Sequence, residues 1–313
     1  MRSCPPSKDN FIGVQYSDLS IDNDKNSFAK LNLRDNYDQY LIEERADLLT
    51  FLIPGNDIGE ILPYLDYERT KVFSKLTKSA PQNSDLDGFD IFYNHMLLVN
   101  PFNGDLIGAQ RLRFNHINDN YRYENSYLEH CNPGIHDKLV SLNRDYAEIG
   151  RTFITDNYQN RLWLKELIRG FIRFPEALGI NYAYGMVSFD HLLYRPEVTS
   201  SFIYNLENSS FIGDLMIPSY GKYPKIKLLN WDFSNLKILE EELSFLDPEF
   251  KIPTVLYLYR LYCNVKYEGF TIAEDYNKIL QLLFSGSLSY LRQDYCSMLK
   301  SYKINSKLYI NYA

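Results

Sequence analysis

Charged side chains that could bind a substrate come from separate parts of the chain. Arg69, Arg111 and Arg151 carry guanidinium groups, and the acidic segment Asp85–Asp90 lies between the first two of them. A guanidinium group meets a carboxylate with two parallel hydrogen bonds. The arginines can therefore close the acidic segment by ion pairing or bind the carboxylate of a substrate, and the sequence leaves both roles open.

Glu148 and His95 are side chains that could move a proton, since carboxylates and imidazoles are the usual proton-transfer groups of enzymes. A salt-bridged glutamate and a hydrogen-bonded core histidine are the alternatives. The other histidines show no spacing with nearby acids that would form a metal site, so we assign no metal. A serine nucleophile has no support, because the chain lacks a G-x-S-x-G segment.

Four basic residues recur at every fourth position of a predicted helix: Arg161, Lys165, Arg169 and Arg173. This spacing places them along one ridge, opposite the apolar face of the helix. The ridge is either an ordinary solvated helix face or a docking strip for a strongly acidic partner protein.

The apolar pattern and the turn residues predict a mixed α/β domain. Asn103-Gly104 between two apolar segments is a strong hairpin signal, and Pro175 closes an amphipathic helix. Residues 1 to about 35 are polar and indicate a loose lead-in. Helices are predicted at Gly59–Lys78, Arg161–Phe174, His191–Asn205 and Ser234–Phe245, strands at His95–Val99, Leu106–Phe114, Tyr146–Thr155 and Asn181–Phe189, a turn at Pro218–Gly221, and further elements at Pro253–Val265 and Glu274–Phe284.

Composition sets limits on the class of protein. The chain has 313 residues, of which 45% are hydrophobic, and a net charge of −7. These values fit a globular protein and argue against nonspecific nucleic-acid binding. Four widely spaced cysteines fit a reducing cytoplasm, the start of the chain lacks the apolar stretch of a signal peptide, and no apolar run reaches the roughly 18 residues of a spanning helix. We expect a soluble cytoplasmic protein.

Short segments then follow one another in a recognisable order: Arg69-x-Lys71-Val72-Phe73, Asp87-Gly88-Phe89-Asp90, His95-Met96-Leu97-Leu98-Val99, Gly108-Ala109-Gln110-Arg111-Leu112 and Glu148-Ile149-Gly150-Arg151-Thr152-Phe153. This order resembles the GNAT-fold acyltransferases that take an acyl chain from acyl carrier protein. They include acyl-homoserine-lactone synthases and the hemolysin-like ornithine- or glycine-lipid N-acyltransferases. The later segments Ile252–Leu256 with Tyr259, and Ala273–Asn277, resemble the tail of the lipid-forming branch.

The resemblance implies a GNAT-like mixed sheet flanked by helices, with a lead-in at 1–58, an acyltransferase core at 59–215 and a C-terminal extension at 216–313. It also implies a bulge in the strand near residue 150, which leaves a backbone N–H for an oxyanion. In acetyl-CoA enzymes a glycine-containing loop wraps the donor diphosphate, but Leu162 and Leu164 stand at the glycine positions here. We therefore expect no permanently bound cofactor, and a donor that is the 4'-phosphopantetheine thioester of acyl carrier protein.

Roles for individual residues follow from the same resemblance. Glu148 is the candidate base, Arg151 a catalytic-site residue and His95 a secondary candidate base. Arg69 and Asp90 are expected to be structural, whereas Arg111 and Arg151 lie nearer the acceptor, and Ser188 belongs to the strand beside the donor. The expected donor-binding residues are Ile154, Gln159, Arg161, Trp163, Lys165 and Arg169.

The resulting prediction is an N-acyltransferase that moves a fatty acyl chain from acyl carrier protein to the amine of an amino acid, an aminolipid precursor or a lysolipid. Peripheral contact with the inner face of the membrane is left open. A signal synthase of the acyl-homoserine-lactone type and a non-catalytic GNAT-like module that binds acyl chains or carrier protein are the alternatives.

Overall fold

The central hairpin forms where the sequence predicts it. β3 (Asn94–Val99) and β4 (Leu106–Asn115) pair antiparallel around a turn in which Gly104 has a φ of 71°.

The computed structural model describes residues 28–76, 84–116, 125–159, 161–208, 212–215, 226, 235–273 and 278–288. Within these residues eight strands form one sheet in the order β1-β2-β3-β4-β5-β6-β8-β7, with β1 at Leu41–Arg45, β2 at Leu48–Pro54, β5 at Tyr146–Ile154, β6 at Tyr182–Phe189, β7 at Lys266–Ile272 and β8 at Leu280–Ser287.

Helices pack on both faces of this sheet. α5 (Arg161–Ala177) contributes the apolar stripe Leu167, Ile168 and Phe171 to the main core on one face. α2 (Leu62–Phe73) buries Leu65 and Val72 against a second core on the other face. The remaining helices of the described residues are α1 (Leu33–Asn36), α3 (Tyr127–Cys131), α4 (Ile135–Ser141), α6 (Pro196–Glu207), α7 (Leu236–Leu246) and α8 (Thr254–Cys263).

The prediction that Pro175 closes α5 is wrong, since the helix continues to Ala177. A proline in the last turn removes a single backbone donor, and the buried stripe holds the helix on the sheet. The chain reverses at Gly179, two residues after the helix ends, with a φ of 74°, and the N–H of Ile180 donates to the carbonyl of Pro175 at 2.8 Å.

The sheet crosses both of the predicted domain boundaries. β1 and β2 lie within the predicted lead-in, and β7 and β8 lie within the predicted extension, yet all four are strands of the same sheet. The division of the chain into three parts stays a prediction. The predicted turn at Pro218–Gly221 and residues 274–277 of the tail segment lie outside the described residues.

The mixed α/β class is confirmed, and β3 to β6 lie within a residue or two of the predicted strands. α2 and α7 lie inside or beside predicted helices, whereas the predicted helix at His191–Asn205 is split into a 3₁₀ turn at His191–Leu193 and α6. Pro196 explains the break, because proline is favoured in the first turn of a helix and disfavours a helical residue before it.

Within the described residues, the helices are too short or too polar to cross a membrane.

Candidate active site

A bulge interrupts β5 at the position that the sequence analysis singled out. Ala109 of β4 pairs with Phe153, and Arg111 pairs with Gly150, so Arg151 and Thr152 face a single residue of β4. Arg151 has a φ of 51°, in the left-handed region that side chains other than glycine rarely adopt. A bulge turns a strand and leaves its extra residue outside the ladder. The predicted bulge is therefore present, and Arg151 lies in it.

The same strand ends its pairing with β6 just before the bulge. β5 and β6 run parallel from Tyr146 opposite Tyr182 to Ile149 opposite Gly185, and beyond this pair the two strands are not hydrogen-bonded to each other. Each continues for several residues, β5 to Ile154 and β6 to Phe189. The sheet thus has an opening between two parallel strands, with the bulge on one side of it.

A small, mostly apolar cavity begins at this opening. Ile149 and Gly185, the last parallel pair, both line it, and so does Phe171 of α5. Tyr259 of α8 also lines it, and its hydroxyl lies 3.4 Å from Oγ1 of Thr152 in the bulge. Burial raises the pKa of Tyr259 to about 12, so the phenol is protonated near neutral pH. The other lining residues are Ala183, Cys263, Val265, Phe284, Ser285 and Gly286.

A network of three arginines and three aspartates occupies the opposite face of the sheet. Arg69 donates to Asp85 at 2.9 Å and to Asp90 at 2.8 Å. Arg111 donates to Asp87 at 2.6 Å and to Asp90 at 3.2 Å. Because the six side chains carry equal numbers of positive and negative charges, the network is neutral as a unit.

Arg151 completes this network and is its most accessible arginine. Its Nη2 donates to Asp87 at 2.9 Å, and its Nη1 lies 3.3 Å from Asp85. The guanidinium also lies 5.6 Å from the ring centre of Tyr127, and that of Arg111 lies 5.3 Å from it. Arg69, Arg111 and Asp90 are fully buried, whereas Arg151 and Asp87 are partly exposed.

The network explains the ionisation of Asp90. Burial alone would raise the pKa of its carboxyl group, but Arg69 and Arg111 outweigh burial and hold the pKa well below its usual range. The structural role predicted for Arg69 and Asp90 agrees with these contacts. Arg111 is equally buried and contacts Asp87, Asp90 and the ring of Tyr93, and its predicted proximity to the acceptor stays a prediction.

Glu148 is buried beside this network, and both of its oxygen atoms accept hydrogen bonds. Oε1 accepts from Oγ of Ser126 at 2.7 Å and from Nδ2 of Asn115 at 3.1 Å. Oε2 accepts from the hydroxyl of Tyr93 at 2.6 Å and from the N–H of Leu128 at 3.4 Å. The carboxylate therefore joins β4, β5, the start of β3 and the first turn of α3.

His95 is buried on the same face as Arg111, directly across the β3–β4 ladder from it. Its Nε2 lies 2.8 Å from the carbonyl oxygen of Asp90, so this nitrogen carries the proton of the neutral ring. Burial lowers the pKa of His95 to about 4. The contacts are those of a hydrogen-bonded core histidine, and its role as a secondary base stays a prediction.

We expect the buried, neutral His95 to make stability depend on pH. The pKa of His95 is about 4 in the folded protein, against an ordinary histidine value of 6.5. Between these values the unfolded chain binds more protons, so the free energy of unfolding should fall as pH falls from 6.5 to 4, by up to ~3 kcal/mol. Urea unfolding at several pH values measures this slope. His95→Gln should have a shallower slope, and equal slopes in the two proteins would contradict the prediction.

The expected donor-binding residues cluster at the end of β5 and the start of α5. Gln159 donates from Nε2 to the carbonyl of Ile154 at 2.5 Å, which folds the connecting loop back on the strand. Trp163 is half-buried, and its ring lies 6.5 Å from that of Tyr158. Lys165 is half-buried on the next turn. Arg161 begins α5, but its side chain lies outside the described residues.

The prediction of a continuous basic ridge on α5 is wrong at Arg169. Its guanidinium is buried, and Nη2 lies 2.7 Å from Glu43 of β1 and 2.9 Å from Glu166. Because this guanidinium is buried and paired with two carboxylates, it does not reach the surface on which an acidic partner would dock. Glu43 lies 126 residues away in sequence, so helix spacing alone gave no sign of it.

Ser188 lies on the part of β6 that borders the opening and is exposed. Its Oγ donates to Oε1 of Gln281 at 3.3 Å and accepts from Nε2 of the same residue at 3.0 Å. It shares no contact with the arginine–aspartate network in the described residues. Sequence reasoning missed Tyr93, Ser126, Thr152 and Tyr127, because single tyrosines and hydroxyl residues carry no spacing signal.

One protein family model matches part of the chain. Residues 69–169 match the family model described as an acetyltransferase (GNAT) domain, and this range contains the network, the bulge and the first half of α5. No curated protein matches the sequence. The predicted GNAT-like mixed sheet flanked by helices is confirmed. The lipid-forming branch stays a prediction.

Three solved structures are similar over most of their lengths. The AHL synthase LasI has 12% identity and a TM-score of 0.41, over 78% of this chain and 91% of that chain. A CoA-dependent acyl-homoserine lactone synthase, BjaI, solved with MTA, has 10% identity and a TM-score of 0.38, over 80% and 86%. FeeM, an N-acyl amino acid synthase from uncultured soil microbes, has 7% identity and a TM-score of 0.39, over 83% and 97%.

Proposed function

We propose that this protein is an N-acyltransferase that transfers an acyl chain from a carrier-bound thioester to the amine of an amino acid or of an aminolipid precursor. The observation that carries the proposal is the opening between β5 and β6, because three features meet there. The bulge lies at its edge, the apolar cavity begins at its last paired residues, and the charged network lies on the other face.

In the proposed complex the two substrates lie on opposite faces of the sheet. Leu112 pairs with Ile149 on the cavity face, whereas Arg111 pairs with Gly150 on the network face, because neighbouring residues of a strand point in opposite directions. In the proposed complex the acyl chain lies in the cavity, and the polar acceptor lies on the network face. The thioester carbon then lies in the opening, where an amine from the network face can reach it.

The reaction forms one bond and breaks another at that carbon. The amine nitrogen attacks the thioester carbonyl, and the tetrahedral intermediate carries a negative charge on oxygen. A backbone N–H of the bulge is the proposed donor to this oxygen. The intermediate collapses by breaking the carbon–sulfur bond, and the thiolate of the carrier takes a proton as the amide is released.

The donor is proposed to be a phosphopantetheine thioester on a carrier protein. Gln159 closes the loop after β5, and Leu162 and Leu164 replace the two glycines that would let a backbone wrap a diphosphate. Phosphopantetheine on a carrier has a single phosphate diester, which a helix start and one arginine, Arg161, could bind. Comparable turnover with free acyl-CoA at micromolar concentration would contradict this choice of donor.

The acceptor is proposed to contact Arg151, the accessible arginine of the network. Its guanidinium lies on Asp87 and over the ring of Tyr127. A carboxylate of an amino acid could replace part of the interaction with Asp87, since both bind the guanidinium in the same way. This contact would place the amine next to the bulge.

Replacing Glu148 with glutamine tests its proposed role as the base. If the carboxylate accepts the proton of the acceptor ammonium, turnover per folded molecule should fall about 10²–10⁴-fold. The variant should also lose ~1–3 kcal/mol of stability, because the new NH₂ group faces hydrogen-bond donors. Tyr93→Phe is the matched control, since it disturbs the same site but keeps the carboxylate. Equal turnover per folded molecule in both variants would assign Glu148 to anchoring α3 instead.

The whole proposal is tested by expressing the chain in a bacterium that lacks aminolipids and analysing the lipid extract by mass spectrometry. A new acyl-amino-acid mass identifies acceptor and chain length together. A lactone product would identify a signal synthase instead. Binding of acylated carrier protein by the purified chain, with no amide from any amino-acid mixture, would identify a non-catalytic module.

A further inference from the structure

A glutamine lies in the apolar layer beneath α5, directly opposite the bulge. Ala109 of β4 pairs with Phe153 and Arg111 pairs with Gly150, so Gln110 is the residue of β4 that faces the bulge. Its side chain is 1% exposed. Because neighbouring residues of a strand point to opposite faces, Gln110 points away from the network face, on which Arg111 lies. Its amide is therefore buried between the sheet and α5.

The amide nitrogen of Gln110 bonds to the backbone of this helix. Nε2 donates to the carbonyl of Leu167 at 2.8 Å, and it also lies 3.1 Å from Sδ of Met96 on β3. A second close contact lies beside this bond, since a Cβ atom at Gly170 of α5 would overlap Cε and Sδ of Met96. These two contacts seat the middle of α5 on β3 and β4.

The oxygen of the same amide has no hydrogen-bond partner among the described residues, although it is buried. The opposite orientation of the amide is excluded, because it would bring Oε1 of Gln110 against the carbonyl oxygen of Leu167. A buried acceptor that loses water without gaining a donor destabilises the folded protein. An apolar side chain, such as those of Leu98 and Leu112 in the same core, would avoid this penalty.

α5 joins the two parts of the proposed donor site. Trp163 and other expected donor-binding residues lie at its start, and Phe171 lines the cavity. Leu167 lies four residues from each of these two aromatic residues, so the three side chains share one face of the helix. A shift of α5 along the sheet would therefore move both the carrier end and the acyl end of the donor relative to the bulge.

We propose that Gln110 is a positioning residue for acyl transfer, an inference that rests on the proposed function. Its hydrogen bond fixes α5 along β4, and β4 also pairs with the residues on either side of the bulge. A donor bound along α5 is thereby aligned with the backbone N–H that meets the oxyanion. A buried polar group of this kind can reduce stability and still be required for activity.

Replacing Gln110 with methionine separates this role from a purely structural one, because methionine has a similar length and no amide. The melting temperature of Gln110→Met should equal or exceed that of wild type, since the orphaned acceptor is gone. With an acyl-carrier thioester and the acceptor identified from the lipid extract, kcat should fall about 10- to 100-fold. The KM for the acceptor should not change, because the network face is untouched. Leu98→Met, which places a methionine in the same apolar core, is the matched control and should keep the kcat of wild type.

Gly170→Ala tests the same contact from the side of the helix. Its Cβ atom should push α5 away from Met96, so kcat should fall in this variant as well. If Gln110 and Gly170 both act through the position of α5, the double variant should lose little more than the larger of the two single losses. Losses that multiply would show that the two residues act independently and would contradict the proposal.

Hydrogen exchange followed by mass spectrometry measures the hold on α5 without any substrate. Backbone amides of α5 should exchange faster in Gln110→Met than in wild type, even though the melting temperature is not lowered, because a local anchor is lost. Leu98→Met should exchange as wild type does.

Two results would overturn the proposal. One is a lower melting temperature of Gln110→Met with the kcat of wild type per folded molecule, which would make the glutamine purely structural. The other is unchanged exchange of α5 in this variant. If wild type forms no amide with any acceptor, the proposed function fails and the catalytic role of Gln110 fails with it, whereas the exchange measurement decides separately whether Gln110 holds α5.

Discussion

Replacing Arg69 with alanine is expected to lower the free energy of unfolding by about 3–5 kcal/mol, because it leaves buried carboxylates without their counter-charge. Arg69 donates to Asp85 and Asp90, and all three side chains are almost completely buried. The pKa of Asp90 is held low by Arg69 and Arg111 against the opposing effect of burial. Loss of Arg69 removes the larger of these two stabilising influences.

Urea unfolding followed by circular dichroism measures this effect. The matched control is Arg34→Ala, which removes an ion pair of similar length, 2.6 Å to Glu44, between side chains that are about half exposed. That control should cost less than about 1 kcal/mol. Arg69→Lys should resemble Arg69→Ala more than wild type, since one ammonium cannot reproduce the fork that meets both aspartates and the carbonyl of Asp85. A loss as small as that of the control would show that water reaches the network.

The arginine–aspartate network could be anticipated from the sequence because residue type alone limits its partners. Three arginines and an acidic segment in one apolar domain must either pair or bind a ligand. The sequence could not divide these roles among the three arginines. Arg151 is more exposed than Arg111 because it lies in the bulge, where its backbone adopts the left-handed conformation.

The sequence predicts those strands that have turn residues or polar residues before and after them in the chain. β2 has the sequence Leu-Leu-Thr-Phe-Leu-Ile-Pro and is buried on both faces, so it shows no alternation that would distinguish a strand from another apolar segment. β8 is buried in the same way between β6 and β7. The sequence therefore identified the centre of the sheet and missed both edges.

Some features of the site depend on contacts between segments that are far apart in the sequence, and the sequence analysis did not predict these contacts. The contact between Thr152 and Tyr259 spans 107 residues, and the one between Arg169 and Glu43 spans 126. A spacing of four residues describes a helix in isolation, but the element that packs on the helix decides which of its charges reach solvent. For α5 that element is β1, which carries Glu43.

Replacing Cys263 with phenylalanine is expected to abolish most turnover with long acyl donors and to spare turnover with short ones. Cys263 lines the cavity from α8, so a phenyl ring at this position enters the space that we assign to the acyl chain. A pocket altered by one or a few methylene equivalents discriminates between chains by about 10- to 200-fold. The thiol is buried, and burial raises its pKa far above the usual range, so it takes no part in the chemistry as a thiolate.

Cys263→Ala is the matched control, because it removes the thiol without filling the cavity. With a series of donors from acetyl to long chains, the alanine variant should follow the chain-length profile of wild type, and the phenylalanine variant should shift the profile toward short chains. Thermal unfolding of both variants checks that overpacking, which costs ~1–3 kcal/mol, has not unfolded the protein. An unchanged profile in a folded Cys263→Phe protein would show that the chain lies elsewhere. The acyl chain of the donor would then have to lie along the surface of the sheet, outside the space between the sheet and α8.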